Sequence, residues 1–246
     1  MATPWPEALE TGADVTLPLL AWGYHFDIGR WDALLARLPA DRAMANPASL
    51  LAWNTRKTYL AELERAGVST IPTLFTNDPP TEDLAALRAR FGTPDLVVKP
   101  QVSAGSHKTL RLGAGDAAPE GFGAAMIQPF LPNVADEGEL SLFMIGGRLA
   151  YAVRKVATGG DFRVQPQFGG RFALFDPEAE ALALANAAVA ACPVPPVYAR
   201  ADMVRGLDGR LQLMELECIE PDLYLDLAPD GGRGFVQAVL ETLTPR

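Results

Sequence analysis

Two apolar segments near the C-terminal end carry their charges in step. Arg200-Ala201-Asp202 lies in one and Glu215-Leu216-Glu217 in the next, with the turn sequence Gly206-Leu207-Asp208-Gly209 between them. Residues two apart on a strand share a face, so Arg200 and Asp202 project together, as do Glu215 and Glu217 from the neighbouring strand. The rest of both strands is apolar, including Val197, Met203, Val204, Leu211, Leu213, Met214, Leu216 and Ile219. Two exposed edge strands with solvated charges would not need that apolar remainder, and charges on buried strands are costly unless paired or metal-bound. The pattern therefore predicts adjacent strands of a buried sheet on which three carboxylates and one guanidinium converge. Such carboxylates repel unless a cation lies among them, and oxygen ligands with no His or Cys nearby favour magnesium over zinc. That arrangement suits a metal nucleotide.

Bulk properties narrow the partners. With 246 residues, 49% of them hydrophobic, the chain can bury a substantial core in one large domain or in two or three small ones. A formal net charge of −9 and the lack of any basic run argue against a nucleic-acid partner, which requires clustered Lys and Arg. Cys192, at a helix end, and Cys218, in an apolar strand, have no metal-ligand spacing with histidine and read as reduced core residues. The start, Met1 to Pro6, lacks the features of a signal peptide, and no apolar run approaches ~18 residues, so a cytoplasmic protein without a membrane partner is expected.

Periodicity places the elements. Val15 to Trp22 reads as a strand and Ile28 to Leu38 as a helix with Trp31, Leu34, Leu35 and Leu38 on one face. Leu50 to Ala66 reads as one helix, with Asn54 as a cap and Tyr59, Leu60 and Leu63 inward, ended by Gly67. A strand at Thr70 to Phe75 precedes a helix opened by Thr81-Glu82-Asp83 and running to about Phe91. Further strands are expected at Asp95 to Lys99, Thr109 to Leu112 and Ala124 to Leu131. Glu139 to Ile145 and Arg148 to Val156 form a hairpin around Gly146-Gly147. The Gly-rich stretch Thr158 to Arg171 is long enough to be a binding loop, Asp176-Pro177-Glu178 opens a helix reaching Cys192, and a last helix covers Gly234 to Leu243.

Other residues acquire meaning from their neighbours. Lys99 ends an apolar strand before Pro100, and the loop that follows contains Ser103, Ala104, Gly105 and Ser106, whose backbone N–H groups could approach a phosphate closely. Lys57 alone says nothing. Gln128 and Pro129 end a strand that could border a planar ring, although strand-end glutamines are common. Glu137 and Glu139 flank Gly138, where solvated acids are commoner than ribose ligands. Arg154, Lys155 and Arg163 bring positive charge towards the Gly-rich stretch, or else balance an acidic surface. His107 reads as solvated, and His25 is undecided. No Ser-His-Asp order, H-E-x-x-H or Walker-type phosphate loop is present.

Taken in order, six stretches resemble the ATP-grasp superfamily over roughly residues 50 to 227. They are Trp53 to Leu60, Val97-Val98-Lys99-Pro100 with its Ser-Gly loop, Ile127-Gln128-Pro129-Phe130, Glu139-Leu140-Ser141, Arg200-Ala201-Asp202 and Glu215-Leu216-Glu217. The chain is most similar to the glutathione synthetase and RimK-like branch, in the group of cycloserine-forming cyclo-ligases. Trp53-Asn54, Asp161-Phe162-Arg163-Val164 with Gly169-Gly170, and Glu215 to Pro221 carry that narrower likeness. The resemblance implies an α+β fold in which two subdomains clasp ATP. A shortened N-terminal α/β segment would occupy 1–50, a first subdomain with a mobile loop 51–125, and a second subdomain with the metal site 126–246.

ATP and two magnesium ions are the implied cofactors. By resemblance, Lys57 and Lys99 hold nucleotide phosphates beneath the loop of Ser103, Gly105 and Ser106, and Gln128 and Phe130 line the adenine pocket. Glu139 meets the ribose or the adjacent pocket wall, with Lys155 and Arg163 among the nucleotide-binding cations. Asp202, Glu215 and Glu217 bind the metals, while Arg200, with Lys99, stabilises charge on an acyl phosphate. The implied activity is ATP-dependent ligation. The carboxylate of a small amino-acid-like substrate would become an acyl phosphate and then form a C–N bond, by cyclisation or by joining two molecules. A nucleotide-binding module without ligase activity and a kinase-like phosphotransferase are the alternatives. Two features depart from the family: Glu217 stands where many relatives have Asn, and Gly23 where this branch more often has an acid. The apolar N-terminal segment could form a homodimer interface if it is not covered within the chain.

Overall fold

Two antiparallel sheets organise the chain, in a computed structural model that describes residues 5–10, 13–39, 41–79, 82–157 and 170–243. The first has the order β1-β4-β2-β3, with β1 at Leu74–Thr76, β2 at Leu96–Pro100, β3 at Leu110–Leu112 and β4 at Ala125–Pro129. The second has the order β7-β6-β5-β8-β9. Its strands are β5 at Glu139–Ile145, β6 at Arg148–Val156, β7 at Arg171–Leu174, β8 at Tyr198–Arg205 and β9 at Leu211–Glu217. This is the α+β architecture expected from the sequence.

Helices cover each sheet with the apolar faces that their sequences supply. In α4, Leu84–Phe91, the Asp83 carboxylate caps by accepting from Ala86 N at 3.0 Å, and Leu84 and Leu87 pack on Leu96, Val98 and Ile127. In α6, Ala179–Ala190, the small residues Ala181, Ala185 and Ala188 let the helix approach Leu142, Ala199 and Met203 of the second sheet closely. The opposite face of that sheet receives Phe235, Ala238 and Val239 of α7, Arg233–Glu241, against Phe143, Tyr151 and Tyr198. A separate cluster ties the N-terminal segment to the rest: Tyr24, with Trp31, Leu34 and Leu35 of α1 (Ile28–Arg37), meets Leu51 and Ile219.

Several elements differ from the sequence reading, each for a tertiary or local reason. The stretch from 50 to 66 is two helices, α2 (Ala48–Asn54) and α3 (Tyr59–Arg65). Asn54 does not cap: its side-chain nitrogen donates to Leu216 O and its oxygen accepts from Cys218 N, both at 2.8 Å. Val15 to Trp22 is not a strand. Pro18, which has no N–H to give a ladder, opens a 3-10 turn at Pro18–Leu20, and Thr16 alone bridges Met44. Thr70 likewise makes one bridge, to Leu213, before Pro72 interrupts and β1 begins at Leu74. At α6 the N-cap is Glu178, without a side-chain bond, so Asp176 has no capping role.

The expected boundary at 125/126 falls within β4, which is wholly buried inside the first sheet between β1 and β2. The expected first subdomain also loses α2 and α3, whose Leu50, Tyr59, Leu60 and Leu63 belong to the core of the second sheet. The hairpin at Gly146-Gly147 has the expected bounds, with both glycines at positive φ. The expected loop at 158–171 lies outside the described residues up to 169. Among the described residues no helix is long and apolar enough to cross a membrane.

Candidate active site

A cavity of about 640 Å³ opens between the two sheets, and the residues singled out in the sequence line it. Lys99 of β2 and Gln128 of β4 enter from the first sheet. Glu139, Lys155, Arg200 and Asp202, from three neighbouring strands, enter from the second, with Glu215 and Glu217 of β9 beside them. The antiparallel register places Arg200 opposite Glu217 and Asp202 opposite Glu215. A register shift between Asp202 and Met203 follows at once, the kind of irregularity that re-aims side chains beside functional sites.

The charges form a connected line. Arg200 Nη2 donates to Asp202 at 2.8 Å and to Glu217 at 2.5 Å, while its Nε donates to both Asp202 oxygens at 3.0 Å. Arg200 Nη1 reaches the carbonyl of Asp222 at 3.1 Å. Asp202 also accepts from the Ser141 hydroxyl and from Lys155 Nζ at 3.2 Å, and Lys155 pairs in turn with Glu139. Burial alone would raise the Asp202 pKa, but Arg200 and Lys155 outweigh it and hold the group well below the usual carboxylate range. Glu217 is pushed up to about 7 by burial, against the pull of Arg200 and with Glu215 and Asp202 adding repulsion.

Lys57 lies in the break between α2 and α3 rather than inside the one helix expected over 50–66. Its backbone N–H donates to Gln101 O at 2.8 Å, and its ammonium reaches Ser103 O at 3.0 Å and pairs with Glu215. Burial opposes its charge, yet Glu215 more than compensates, so its pKa rises. Lys99 has no such close partner among the described residues. Burial lowers it to about 8, Lys57 contributes in the same direction, and Glu215 opposes.

The other predicted residues separate. Ser103, Gly105 and Ser106 line the cavity, with Gly105 and Ser106 at positive φ. Gln128 Nε2 donates to Thr73 Oγ1 at 2.8 Å, which fixes its amide, and the Arg111 guanidinium lies 3.8 Å over the Phe130 ring. Glu139 is buried and bound to Lys155, which also meets Asp202, so its carboxylate serves the charge line. Arg163 lies outside the described residues. His107 is not simply solvated: its ring stands 5.6 Å from His25 and 5.1 Å from Phe26. Tyr24 and Glu220, which also line the cavity, were not singled out as site residues. Glu220 alone had a signal, as the third acid of Glu215 to Glu220.

Asp202, Glu215 and Glu217 line one cavity, yet among the described residues no three His, Cys, Asp or Glu side chains come together in a metal-holding group. The reason is local: Lys57 draws Glu215 away, Arg200 draws Glu217, and the oxygens of Asp202 are taken by Arg200, Lys155 and Ser141. Glu215 and Glu217 nevertheless fit magnesium as hard oxygen donors. They share one face of β9, are partly accessible at 23% and 27% of the side chain, and each pairs through a single oxygen.

No protein-family model matches the chain. The cycloserine biosynthesis protein DcsG of Streptomyces lavendulae is 33% identical over 224 residues, which cover 82% of this chain and 74% of that protein. The crystal structure of D-cycloserine synthetase DcsG superposes with a TM-score of 0.82 at 28% identity, covering 99% of this chain and 86% of that one. The ATP-grasp ligase PsnB, solved with a minimal precursor variant, Mg and ADP, has a TM-score of 0.64 at 20% identity, covering 89% and 66% of the two chains. The D-alanine–D-alanine ligase of Bacillus anthracis gives 0.66 at 15% identity, covering 98% and 84%. A relative one-third identical over most of both chains, on the fold that these ligases share, means that the chain belongs to the ATP-grasp ligases.

Proposed function

We propose that this ligase activates the carboxylate of a small amino-acid-like substrate as an acyl phosphate and then closes a C–N bond at the same carbon. The observation that carries this reading is the meeting, in one cavity, of buried Lys57 and half-buried Lys99 with the Arg200, Asp202 and Glu217 line. In the first step a carboxylate oxygen attacks the γ-phosphorus of ATP and ADP leaves. In the second, a nitrogen lone pair attacks the acyl carbon, the C–O bond to phosphate breaks, inorganic phosphate leaves and the nitrogen gives up one proton.

Both steps bring anions together, so fixed positive charge is what the site must supply. Lys57 and Lys99 would hold nucleotide phosphates, and Gln128 and Phe130 would border the base. Arg200, held rigid by Asp202 and Glu217, would face the reacting carboxylate and the acyl phosphate. Glu215 and Glu217 would hold magnesium, two ions in the fullest form, and Asp202 would join them only by releasing one of its present partners. When bound, magnesium would neutralise the phosphate oxygens and keep the reactants in line. The loop at 101–108 would exclude water from a hydrolysable intermediate.

The name of the relative, D-cycloserine synthetase, puts a cyclising reaction first among the versions of this chemistry. The test is a hydroxylamine trap. With Mg and ATP, a D- and L-amino-acid panel should give ADP together with a hydroxamate, formed by hydroxylamine on the acyl phosphate. A stable phosphorylated product that hydroxylamine does not intercept would indicate a kinase instead, and nucleotide binding without turnover would indicate a binding module.

A further inference from the structure

The carboxylates around the cavity are not equally provided for. Glu139, Asp202, Glu215 and Glu217 each have a lysine or arginine partner. Glu220 also lines the cavity and is partly buried, yet among the described residues it forms no ion pair. It lies just past β9, where the chain turns through Cys218 and Ile219. A carboxylate withdrawn from water without a cation is an unfavourable arrangement that a bound positive group would relieve. Burial and the neighbouring Glu217 raise its pKa to about 8 against the pull of Lys57, so near pH 7 the side chain is held mainly as the neutral acid, and a cation bound there would drive release of that proton.

The wall beside it also offers acceptors without donors. Tyr24 is buried there, and Glu220 is the charge that acts most strongly on its phenol. His25 adjoins Tyr24, ring centroid to ring centroid 5.9 Å, and lines the same cavity. Both His25 ring nitrogens are buried with no hydrogen-bond partner among the described residues. Burial and the nearby His107 lower its pKa, so the ring is neutral near pH 7 and one nitrogen can accept. A cationic group in the cavity would answer Glu220, and an N–H donor on the same ligand would answer the unpartnered ring nitrogen of His25.

We propose that Glu220 binds a protonated amine of the substrate, with His25 on the same wall as second acceptor, so that the molecule activated here is an amino acid whose ammonium group is held away from the reaction. This inference rests on the ligase reading above and adds a constraint to it. An ammonium nitrogen has no lone pair, so the nucleophile that attacks the acyl phosphate must be a different nitrogen, elsewhere in the same molecule or on a second one.

The experiment compares ADP release for D- and L-amino acids with that for desamino acids of the same carbon skeleton, in the wild type and in Glu220→Gln. Binding of the same compounds to protein loaded with Mg and AMPPNP is followed by calorimetry. The wild type should prefer the amino acid by about a hundredfold in kcat/KM, because a site built for a polar group rejects the analogue that lacks it. Glu220→Gln should raise KM for the amino acid and shrink that preference to within about tenfold, with nucleotide affinity kept. Glu220→Asp, which retains the charge, should keep the preference and so separates loss of recognition from loss of folding. Equal use of desamino acids by the wild type, or an unchanged preference in Glu220→Gln, overturns the inference and leaves the ligase reading standing. Loss of Mg-dependent nucleotide binding in Glu220→Gln would place the residue at the nucleotide end and also overturn it. If no compound releases ADP or binds, the ligase reading itself falls.

Discussion

Lys57 and Lys99 enter one cavity yet differ in what holds their charge. Lys57 is locked to Glu215, whereas Lys99 is half-buried without a close carboxylate among the described residues and has its pKa drawn down to about 8. Below that pH it is an ammonium that attracts phosphate, and above it an amine that does not. Nucleotide affinity should therefore fall as pH rises through about 8, and Lys99→Arg, charged throughout, should flatten the decline. Calorimetric titration with AMPPNP and Mg between about pH 7 and pH 9 measures this, and a level wild-type profile would contradict it. The same depression has a stability sign: the unfolded chain binds this proton more tightly, so Lys99 contributes increasing stability as pH rises from about 8 towards the ordinary lysine range. The importance of Lys99 was legible from Val97-Val98-Lys99-Pro100 and the small-residue loop. That of Asn54 was not, because a cap is a local assignment and its actual partner, Leu216 O, lies 162 residues away. Asn54→Ala should cost about 2–3 kcal/mol in urea unfolding, since it leaves the buried Leu216 carbonyl and Cys218 N–H without partners.

At the scale of elements, the sequence was most legible where periodicity and turn chemistry agree. The β5–β6 hairpin has its expected limits because alternating apolar residues flank a Gly-Gly turn, and the β8–β9 register follows from charges spaced two apart. Val15 to Trp22 misled for the opposite reason: apolar content suggests a strand, but Pro18 cannot donate, and among the described residues the segment makes only the isolated bridge of Thr16 to Met44. The entry to β5 shows how tightly these elements are joined. Gly138 has φ +79°, and a Cβ there would lie 2.4 Å from the Lys155 carbonyl oxygen of β6. Since that contact is backbone, nothing can swing aside. Gly138→Ala should destabilise the chain by about 2–4 kcal/mol and displace Lys155 from Glu139 and Asp202. Chemical denaturation would give the first quantity and the loss of ADP release the second, whereas Gly147→Ala, at a turn with open space around it, should be milder.

At the scale of the whole molecule, Lys57 makes a polar link across the cavity. Its N–H and ammonium hold the Gln101 and Ser103 carbonyls after β2, while the same ammonium pairs with Glu215 in the second sheet. The strut therefore ties the loop of one sheet to the acidic strand of the other. No local pattern announces it, because Lys57 gains its meaning only when residues 46 and 158 positions away are brought to it. Lys57→Met should lower stability by about 3–5 kcal/mol, chiefly because Glu215 is left partly buried without its cation. Adding Glu215→Gln to Lys57→Met should recover part of that loss, since the uncompensated charge is gone. Nucleotide separates the strut from the ligand site: AMPPNP with Mg at about a hundred times its dissociation constant should stabilise the wild type by about 2.7 kcal/mol. Both variants should lose most of that gain, the double variant included, because restoring the fold restores neither the phosphate-binding ammonium nor, in the double variant, the magnesium ligand Glu215. A double variant that regained nucleotide stabilisation along with its fold would mean that Lys57 is a structural strut only, and that Lys99 alone meets the phosphates.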